Sequence, residues 1–370
     1  MELRHVIVFN RHGDRTPIYT DLNSLLKLSD EEMNFWRKSL LEPEQIEQLH
    51  GIAKVVGADV TVPPYCDPSD GGRYPGGHLT KKGMVQLEEK GAKLWERYHH
   101  LFGNEAIHSE AVHATSTNYY RTIQSAQALL MGMFKQKNGE SPKFHIRIRN
   151  IETVVPEHSP EIYYRMQELY LQELEPQVQA KIKKTEACVR DLFQIPSTDP
   201  VNWTAVRDVL TCKKAHNLEW PQGVTEEIYA DVVDADAALW YQCFSHKGLG
   251  TTFFSNGIQE LTSHLQKVLG EEVMSLEKRV QDFGGPKISV FSCHDCTLVS
   301  LVNALDLDTN QTLPPYATIV TFEIYQNSSA STSEYFIKVF WNDKELKFKN
   351  FESEAFLPFD TFKRIAVRNF

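Results

Sequence analysis

A short apolar run leads directly into a cluster of charged residues in Val6-Ile7-Val8-Phe9-Asn10-Arg11-His12-Gly13-Asp14-Arg15-Thr16-Pro17. The apolar run predicts a buried strand over about residues 3–9. Arg11 and Arg15 flank His12, and an arginine guanidinium matches a pair of phosphate oxygens without losing its charge. Gly13 allows another part of the backbone to approach closely. The stretch therefore predicts a phosphate-binding site with a histidine nucleophile at the end of the first strand.

Strands and helices alternate along the rest of the chain. Thr80 is a residue type preferred at helix N-caps, and apolar residues recur at helical spacing after it. A second helix is predicted from about Thr117, which places Arg121 in a first turn, where unpaired amides favour an anion. The same reasoning predicts strands over 111–114 and 287–293, helices over 255–280 and 297–305, and a terminal hairpin of 318–325 and 335–341. This alternation predicts an α/β fold.

Three later stretches, together with the first, carry a family resemblance. They are Thr80-Lys81-Lys82-Gly83-Met84-Val85-Gln86, Ser116-Thr117-Asn118-Tyr119-Tyr120-Arg121-Thr122-Ile123-Gln124-Ser125-Ala126 and the pair His294-Asp295, and the tail Pro314-Pro315-Tyr316-Ala317 follows them. In this order they resemble the signature of the histidine acid phosphatases. The resemblance covers residues 1–20, 75–150 and 250–345. Two positions depart from the family pattern, Thr115 where many members have arginine and Cys293 where alanine is usual, and neither binds phosphate in the family.

The resemblance implies a three-layer αβα sandwich similar to the phosphoglycerate mutase fold, with an inserted helical cap. We assign residues 1–20, 75–149 and 250–370 to the α/β core. Residues 21–74 are polar and rich in proline, and residues 150–249 contain long polar helices such as the one predicted over 161–193. We therefore assign both of these segments to the cap.

The resemblance also implies a role for each matching residue. His12 is expected to attack phosphorus and form a phosphohistidine, which water then hydrolyses. Arg11, Arg15, Arg121 and His294 are expected to bind the phosphoryl oxygens. Asp295 is the expected general acid, which protonates the leaving alcohol and whose pKa nearby phosphate would raise.

Several of these features also have an ordinary interpretation. Arg121 alone is consistent with a surface arginine at a helix start, and Asp295 with a residue that caps the helix over 297–305. The predicted function is that of a metal-independent phosphomonoesterase. Two alternatives remain open: a phosphotransferase or mutase on the same fold, and a non-catalytic protein that binds phosphorylated ligands. An aspartic acid placed to protonate a leaving group favours hydrolysis.

The composition excludes several classes of partner. The 370 residues carry a net charge of -10 with a pI near 5.8, which argues against general binding to nucleic acid or to anionic membranes. No apolar run approaches the length of a transmembrane helix. Cys293 and Cys296 form a C-x-x-C with no second such pair, so neither a metal site nor another cofactor is expected. The expected partner is a small-molecule phosphomonoester.

The cysteines and the glycosylation sequons indicate different compartments. The six cysteines would suffice for three disulfides, but a bridge beside His294-Asp295 would constrain that turn. We therefore expect buried free thiols at Cys293 and Cys296, and a cytoplasmic location. The segment Met1–His5 does not resemble the start of a signal peptide. The sequons at Asn202, Asn310 and Asn327 would instead fit a secretory or lumenal protein with a leader or anchor.

The residues leave several substrates open. A lysophosphatidate, a phosphorylated sugar or glycan and an inositol phosphate all remain candidates, although the acidic balance disfavours an inositol polyphosphate. Aromatic residues of the predicted cap either line a lipid channel or, more simply, pack the cap; they are Phe35, Trp36, Tyr163, Tyr164, Trp203, Trp220 and Trp240. Residues 6–10 and 362–370 resemble the family branch that removes phosphate from the xylose of glycosaminoglycan linkers.

Overall fold

The computed structural model describes ten segments of the chain. They are residues 1–19, 26–57, 74–103, 107–134, 143–148, 153–155, 171–245, 254–270, 285–327 and 334–368. Cys66, Tyr163, Tyr164, the first ten residues of the helix predicted over 161–193 and the last ten of the helix predicted over 255–280 lie outside the described residues.

The described residues form nine strands and ten α-helices. The strands are β1 (Glu2–Arg11), β2 (Ala53–Gly57), β3 (Val112–Ser116), β4 (Phe144–Ile148), β5 (Ile288–Cys293), β6 (Ile319–Asn327), β7 (Glu334–Trp341), β8 (Lys344–Leu346) and β9 (Leu357–Pro358). The helices are α1 (Asp30–Ser39), α2 (Pro43–Ile52), α3 (Lys81–Tyr98), α4 (Tyr120–Phe134), α5 (Pro176–Phe193), α6 (Trp203–Ala215), α7 (Glu226–Ser245), α8 (Ser255–Leu269), α9 (Asp295–Ala304) and α10 (Phe359–Arg368).

All nine strands belong to one mixed sheet. Its order is β2-β4-β3-β5-β1-β6-β7-β8, and β9 pairs with β7. The strands from β2 to β1 in this order are parallel, whereas β6, β7, β8 and β9 pair in antiparallel fashion. Phe9 of β1 is paired with Phe291 of β5, so the first predicted strand and the late predicted strand are neighbours. The predicted terminal hairpin is confirmed as β6 and β7.

Alternate residues of β1 face opposite sides of the sheet, as strand geometry requires. Val6 and Val8 pack into a hydrophobic cluster with α2, α3 and α4. Ile7 and Phe9 pack into a second cluster with α8, α9, α10 and the end of α7. Helices therefore cover both faces of the sheet, and the predicted three-layer α/β sandwich is confirmed.

A third hydrophobic cluster lies among α1, α5, α6 and α7, which we call the cap helices. The fully buried Trp36 belongs to this cluster. Helix α7 is shared between two clusters, because Val232 and Leu239 pack among the cap helices while Trp240 and Phe244 pack against the core.

The segment 21–74 is divided between the cap helices and the α/β core. Of its described residues, Leu26, Leu28 and helix α1 pack among the cap helices, whereas α2 packs against α4 and β2 forms an edge of the sheet beside β4. The assignment of the whole segment to the cap is therefore too broad. The five residues Ala53–Gly57 are too few to show a clear strand periodicity within a polar segment.

Candidate active site

The carboxyl ends of three neighbouring strands, β3, β5 and β1, meet at one edge of the sheet. Ser116 of β3 is paired with Ser292 of β5. The backbone N–H of His12 donates to the carbonyl of Cys293 at 3.0 Å, and the N–H of Thr117 donates to the carbonyl of Ser292 at 3.2 Å. The predicted site residues therefore come together at the edge where open α/β sheets bind ligands.

The ring of His12 is buried and held in one tautomer. Its Nδ1 lies 2.8 Å from the carbonyl oxygen of Gly13, which can only accept, so Nδ1 carries the proton and Nε2 keeps a lone pair. Burial, and then the positive charges of Arg121 and Arg11, lower the pKa of His12 well below its ordinary value. Both effects favour the neutral imidazole, whose Nε2 lone pair is free of this hydrogen bond.

Two glycines allow the loop after β1 to lie directly against helix α3. A Cβ atom on Gly83 would lie 2.1 Å from the carbonyl oxygen of Asp14, and one on Gly13 would lie 2.4 Å from the carbonyl oxygen of Gly83. Both distances are far shorter than a van der Waals contact. The glycine of the Thr80–Gln86 stretch is thus explained by the close approach of the loop that carries His12.

The other residues of that stretch fix the loop by hydrogen bonds. The Thr80 hydroxyl donates to the Asp14 carboxylate at 2.5 Å and also caps α3 by accepting from the Gly83 N–H at 3.1 Å. The Gln86 side chain accepts from the Asp14 N–H at 2.8 Å. His216, just after α6, contacts the same carboxylate at 2.6 Å through Nε2.

Arg11 and Arg15 are both more than nine-tenths buried. Arg11 donates through Nη1 to the carbonyl of Pro314 at 2.5 Å and pairs through Nη2 with Asp295 at 2.8 Å. Arg15 donates through Nη1 to Asp208 at 2.6 Å. Among the described residues, neither buried Nε–H has a hydrogen-bond partner. Such buried donors are costly unless a ligand or water satisfies them.

Arg121 lies in the first turn of α4, as predicted, and its guanidinium faces His294. Arg121 Nη2 lies 3.4 Å from His294 Nδ1, and Thr117 Oγ1 lies 3.0 Å from His294 Nε2. Because a guanidinium only donates, Nδ1 accepts and Nε2 donates to the Thr117 hydroxyl. Burial, and then Arg121, lower the pKa of His294 well below its ordinary value.

Asp295 is the first residue of α9, and His294 is the N-cap residue. The interpretation of Asp295 as the residue that caps this helix is therefore wrong. Its Oδ2 lies 2.8 Å from Arg11 Nη2 and 3.8 Å from Arg207 Nη2. Burial raises the pKa of Asp295, but the charges of Arg11, Arg207 and Arg15 outweigh this effect, and the pKa lies below its ordinary value.

Three side chains at the site were not among the predicted site residues. Arg207 and Asp208 come from α6, a cap helix, and contact Asp295 and Arg15 respectively. The ring of Tyr316 faces two of the arginines, with its centroid 4.4 Å from the guanidinium carbon of Arg11 and 5.9 Å from that of Arg15. Tyr316 belongs to a tail that resembles the family, so a signal for it was present. For Arg207 and Asp208, the sequence shows only two charged residues between the apolar residues Val206 and Val209, which does not indicate a place in the site.

The remaining predictions about site chemistry concern metals, thiols and aromatic residues. The described part of the chain contains no group of three or more His, Cys, Asp or Glu residues that could hold a metal ion. Cys293 is a buried free thiol and Cys296 a half-buried one. All four tryptophans of the predicted cap pack with hydrophobic clusters: Trp36, Trp203 and Trp240 are buried members, and Trp220 is partly buried against the cluster of the cap helices. Within the described ranges, no helix is long and apolar enough to span a membrane.

Comparison with known proteins identifies the family. A family model of the histidine phosphatase superfamily (branch 2) matches residues 2–342. The chain belongs to this superfamily. The family prediction is therefore confirmed, and the chain is an acid phosphatase that acts as a phosphomonoesterase.

Curated members of the histidine phosphatase superfamily resemble the chain over most of its length. Lysophosphatidic acid phosphatase type 6 of Bos taurus is 26% identical over 361 residues, which cover 93% of this chain and 78% of the relative. Prostatic acid phosphatase of Bos taurus is 24% identical over 360 residues, with the same two coverages. Lysosomal acid phosphatase of Bos taurus is 27% identical over 300 residues, which cover 72% of this chain and 64% of the relative.

A solved structure shows the same fold at lower identity. The Hafnia alvei phytase in complex with tartrate superposes with a TM-score of 0.64 and 13% identity, covering 100% of this chain and 97% of that one. The superposition supports the α/β fold.

Proposed function

We propose that this phosphomonoesterase works through a phosphohistidine at His12 and needs no metal ion. The observation that carries the proposal is the His12 ring, whose Nδ1–H is committed to the Gly13 carbonyl while Nε2 is left as a nucleophile. The buried Nε–H groups of Arg11 and Arg15, which have no partner among the described residues, are the donors that a phosphoryl group would satisfy. Three arginines supply the positive charge that a metal ion supplies in other phosphatases.

In the first step, His12 Nε2 attacks phosphorus and the P–N bond forms as the bond to the leaving oxygen breaks. Asp295 gives its proton to that oxygen, and an alcohol leaves. In the second step, water attacks the phosphohistidine and gives a proton to Asp295, the P–N bond breaks, and inorganic phosphate departs. Arg11, Arg15 and Arg121 bind the phosphoryl oxygens in both steps.

The protonation of Asp295 depends on the substrate. Without phosphate, Arg11 and Arg207 hold the pKa of Asp295 below its ordinary value, which would leave too little of the acid. A bound phosphate dianion offsets the charge of Arg11 and raises that pKa, so Asp295 is protonated when a leaving group is present. The same dianion favours protonation of His294 at Nδ1. A protonated Nδ1 no longer accepts from Arg121, and both groups can then donate to phosphoryl oxygens.

The first experiment measures alcohol and inorganic phosphate released from p-nitrophenyl phosphate by the wild type and by His12→Ala, with EDTA present, over a range of acid to neutral pH. We expect equal release of both products by the wild type and none by His12→Ala. Release that stops in EDTA would contradict metal independence. Excess alcohol over phosphate in the presence of glycerol would indicate a phosphotransferase, and phosphate binding without turnover would indicate a binding protein.

A phosphorylated lipid is the substrate class that we propose to test first, because a relative at 26% identity is named a lysophosphatidic acid phosphatase. The burial of Trp36, Trp203 and Trp240 leaves fewer aromatic side chains to line a lipid channel than the sequence suggested. Rates with lysophosphatidate, a glycan phosphate and an inositol phosphate should therefore be compared at equal enzyme concentration. A preference for either of the last two would overturn the lipid assignment.

We propose a reducing, cytoplasmic compartment from the thiols, since the five described cysteines are all free. A relative named lysosomal acid phosphatase and the exposed Asn310 sequon support the opposite, lumenal assignment. Treatment of the native protein with a glycosidase distinguishes the two. A loss of mass would show glycosylation and overturn the cytoplasmic assignment.

A further inference from the structure

Two consecutive residues of helix α6 contact different side chains of the candidate active site. Asp208 accepts from Arg15 Nη1 at 2.6 Å and from the N–H of Ile18 at 2.7 Å. Arg207 contacts a different group, and its Nη2 lies 3.8 Å from Asp295 Oδ2. A cap helix therefore contacts both the phosphate-binding arginines and the proposed general acid.

Arg207 is fixed in place by a second buried carboxylate. Its Nε donates to Asp236 Oδ2 at 2.5 Å, and Asp236 Oδ1 accepts from the Thr204 hydroxyl at 3.0 Å. The Thr204 hydroxyl also accepts from the Trp240 indole N–H at 3.1 Å, and the Trp240 ring centroid lies 5.6 Å from the Arg207 guanidinium carbon. Asp236 is fully buried and the Arg207 side chain is 8% exposed. The guanidinium is thus held on one edge by Asp236, while Nη2 faces Asp295.

Asp236, Arg207, Asp295 and Arg11 form a chain of contacts in which negative and positive side chains alternate. The two arginines differ in what they do when substrate binds. Arg11 is one of the proposed phosphate-binding residues. When substrate binds, it also pairs with the phosphoryl oxygens, and its attraction for Asp295 becomes weaker. Arg207 is committed to Asp236 and keeps its attraction for Asp295 throughout the reaction.

We propose that Arg207, held by Asp236, is a positioning residue that keeps the Asp295 carboxyl group aimed at the leaving-group oxygen. This inference rests on the proposed role of Asp295 as general acid. Among the described residues, the other contacts of the Asp295 carboxyl group are Arg11 Nη2, 2.8 Å from Oδ2, and the Cys296 N–H, which donates to Oδ1 at 3.0 Å. Without Arg207, the only cation left at Oδ2 among these contacts would be the arginine that also binds phosphate. The effect of Arg207 should therefore depend on how much the leaving group needs a proton.

The test compares Arg207→Met with the wild type on two substrates. Phenolate from p-nitrophenyl phosphate leaves readily without a proton, whereas the alkoxide from β-glycerophosphate does not. We expect kcat/KM to fall by about 100-fold for β-glycerophosphate and by less than about tenfold for p-nitrophenyl phosphate. The alkaline limb of the pH profile should move up by about 1 unit, because loss of a cation raises the pKa of Asp295.

Three further measurements separate positioning from a structural role. The inhibition constant of inorganic phosphate should stay within about twofold, because Arg207 lies on the leaving-group side of the site. In an Asp295→Asn background, Arg207→Met should add no further selectivity between the two substrates. Arg190→Met removes another cap arginine, which pairs with Glu186 on α5, and should leave both rates unchanged.

Equal losses on both substrates, additivity with Asp295→Asn, or weaker phosphate inhibition would overturn the proposal. If Arg207→Met does not fold, Asp236→Asn gives the same test, since it releases the guanidinium while keeping its charge. It should reproduce the selective loss on β-glycerophosphate without the shift of the alkaline limb. Failure of the proposed function is recognised separately, because the wild type would then release no phosphate, or His12→Ala would still release it.

Discussion

Replacement of Gly83 by alanine tests whether the close contact between α3 and the loop after β1 positions His12. The new methyl group would lie 2.1 Å from the Asp14 carbonyl oxygen and 2.8 Å from the Asp14 nitrogen. Ordinary contact distances require the two backbones to separate by about 1 Å, and neither can rotate away as a side chain would. The clash should cost about 2–3 kcal/mol, of which the better helix propensity of alanine offsets at most about 1 kcal/mol.

A displacement of about 1 Å at a nucleophile can reduce a rate by about 100-fold. We therefore expect Gly83→Ala to lose about 100-fold in kcat/KM for p-nitrophenyl phosphate and to melt at a lower temperature. Gly51→Ala is the matched control, because a Cβ atom on this exposed α2 glycine would meet nothing within 4 Å. It should keep full activity and equal or higher stability. If Gly83→Ala keeps kcat/KM within about threefold, the contact does not position His12.

The remaining predictions concern charge, pH and packing. Arg15→Lys keeps the charge but cannot bind Asp208 and a phosphoryl oxygen in fork geometry, so kcat/KM should fall by at least about tenfold; an unchanged value would show that charge alone suffices. The lowered pKa of His12 favours the neutral form of the proposed nucleophile, so kcat/KM should show no loss from His12 protonation near pH 6.5, about the ordinary histidine pKa; an acid limb at that pH in the pH profile of the wild type would contradict this. Trp36→Ala should lower the free energy of unfolding by about 3–5 kcal/mol while the folded fraction keeps its kcat, and denaturant titration with parallel activity assays checks both.

The sequence predicted the α/β core and the side chains that meet at the candidate active site because local patterns specify them. Four apolar residues ahead of Arg11-His12 were enough to place β1, and the structure extends it only to Glu2–Arg11. His294 follows a fully buried strand, so its position beside His12 follows from parallel pairing of the two strands. Residues that follow neighbouring parallel strands must meet at the same edge.

The contribution of the cap helices was not predictable in the same way. Asp208 lies 193 positions along the sequence from Arg15, and one charged pair in a helix has the same local pattern whether it is buried or solvated. Both side chains are buried because α6 packs against two parts of the fold: Asp208 contacts the loop after β1, and Arg207 contacts Asp236 and Trp240 of α7. β2 was missed for a related reason, because its place in the sheet depends on pairing with β4 and not on its own composition.

Helix α7 gives the molecule a mechanical property through its two-cluster packing. Its first half packs with α5 and α6, and its second half packs with α8 and α9. One continuous helix, Glu226–Ser245, therefore belongs to both the cap cluster and the α/β core. Unfolding of the cap helices should therefore unfold the α/β core as well, and the reverse, since the two cannot separate without breaking this helix. Calorimetry should therefore record a single cooperative heat-absorption peak, and limited proteolysis should not release the cap helices as an independently folded fragment.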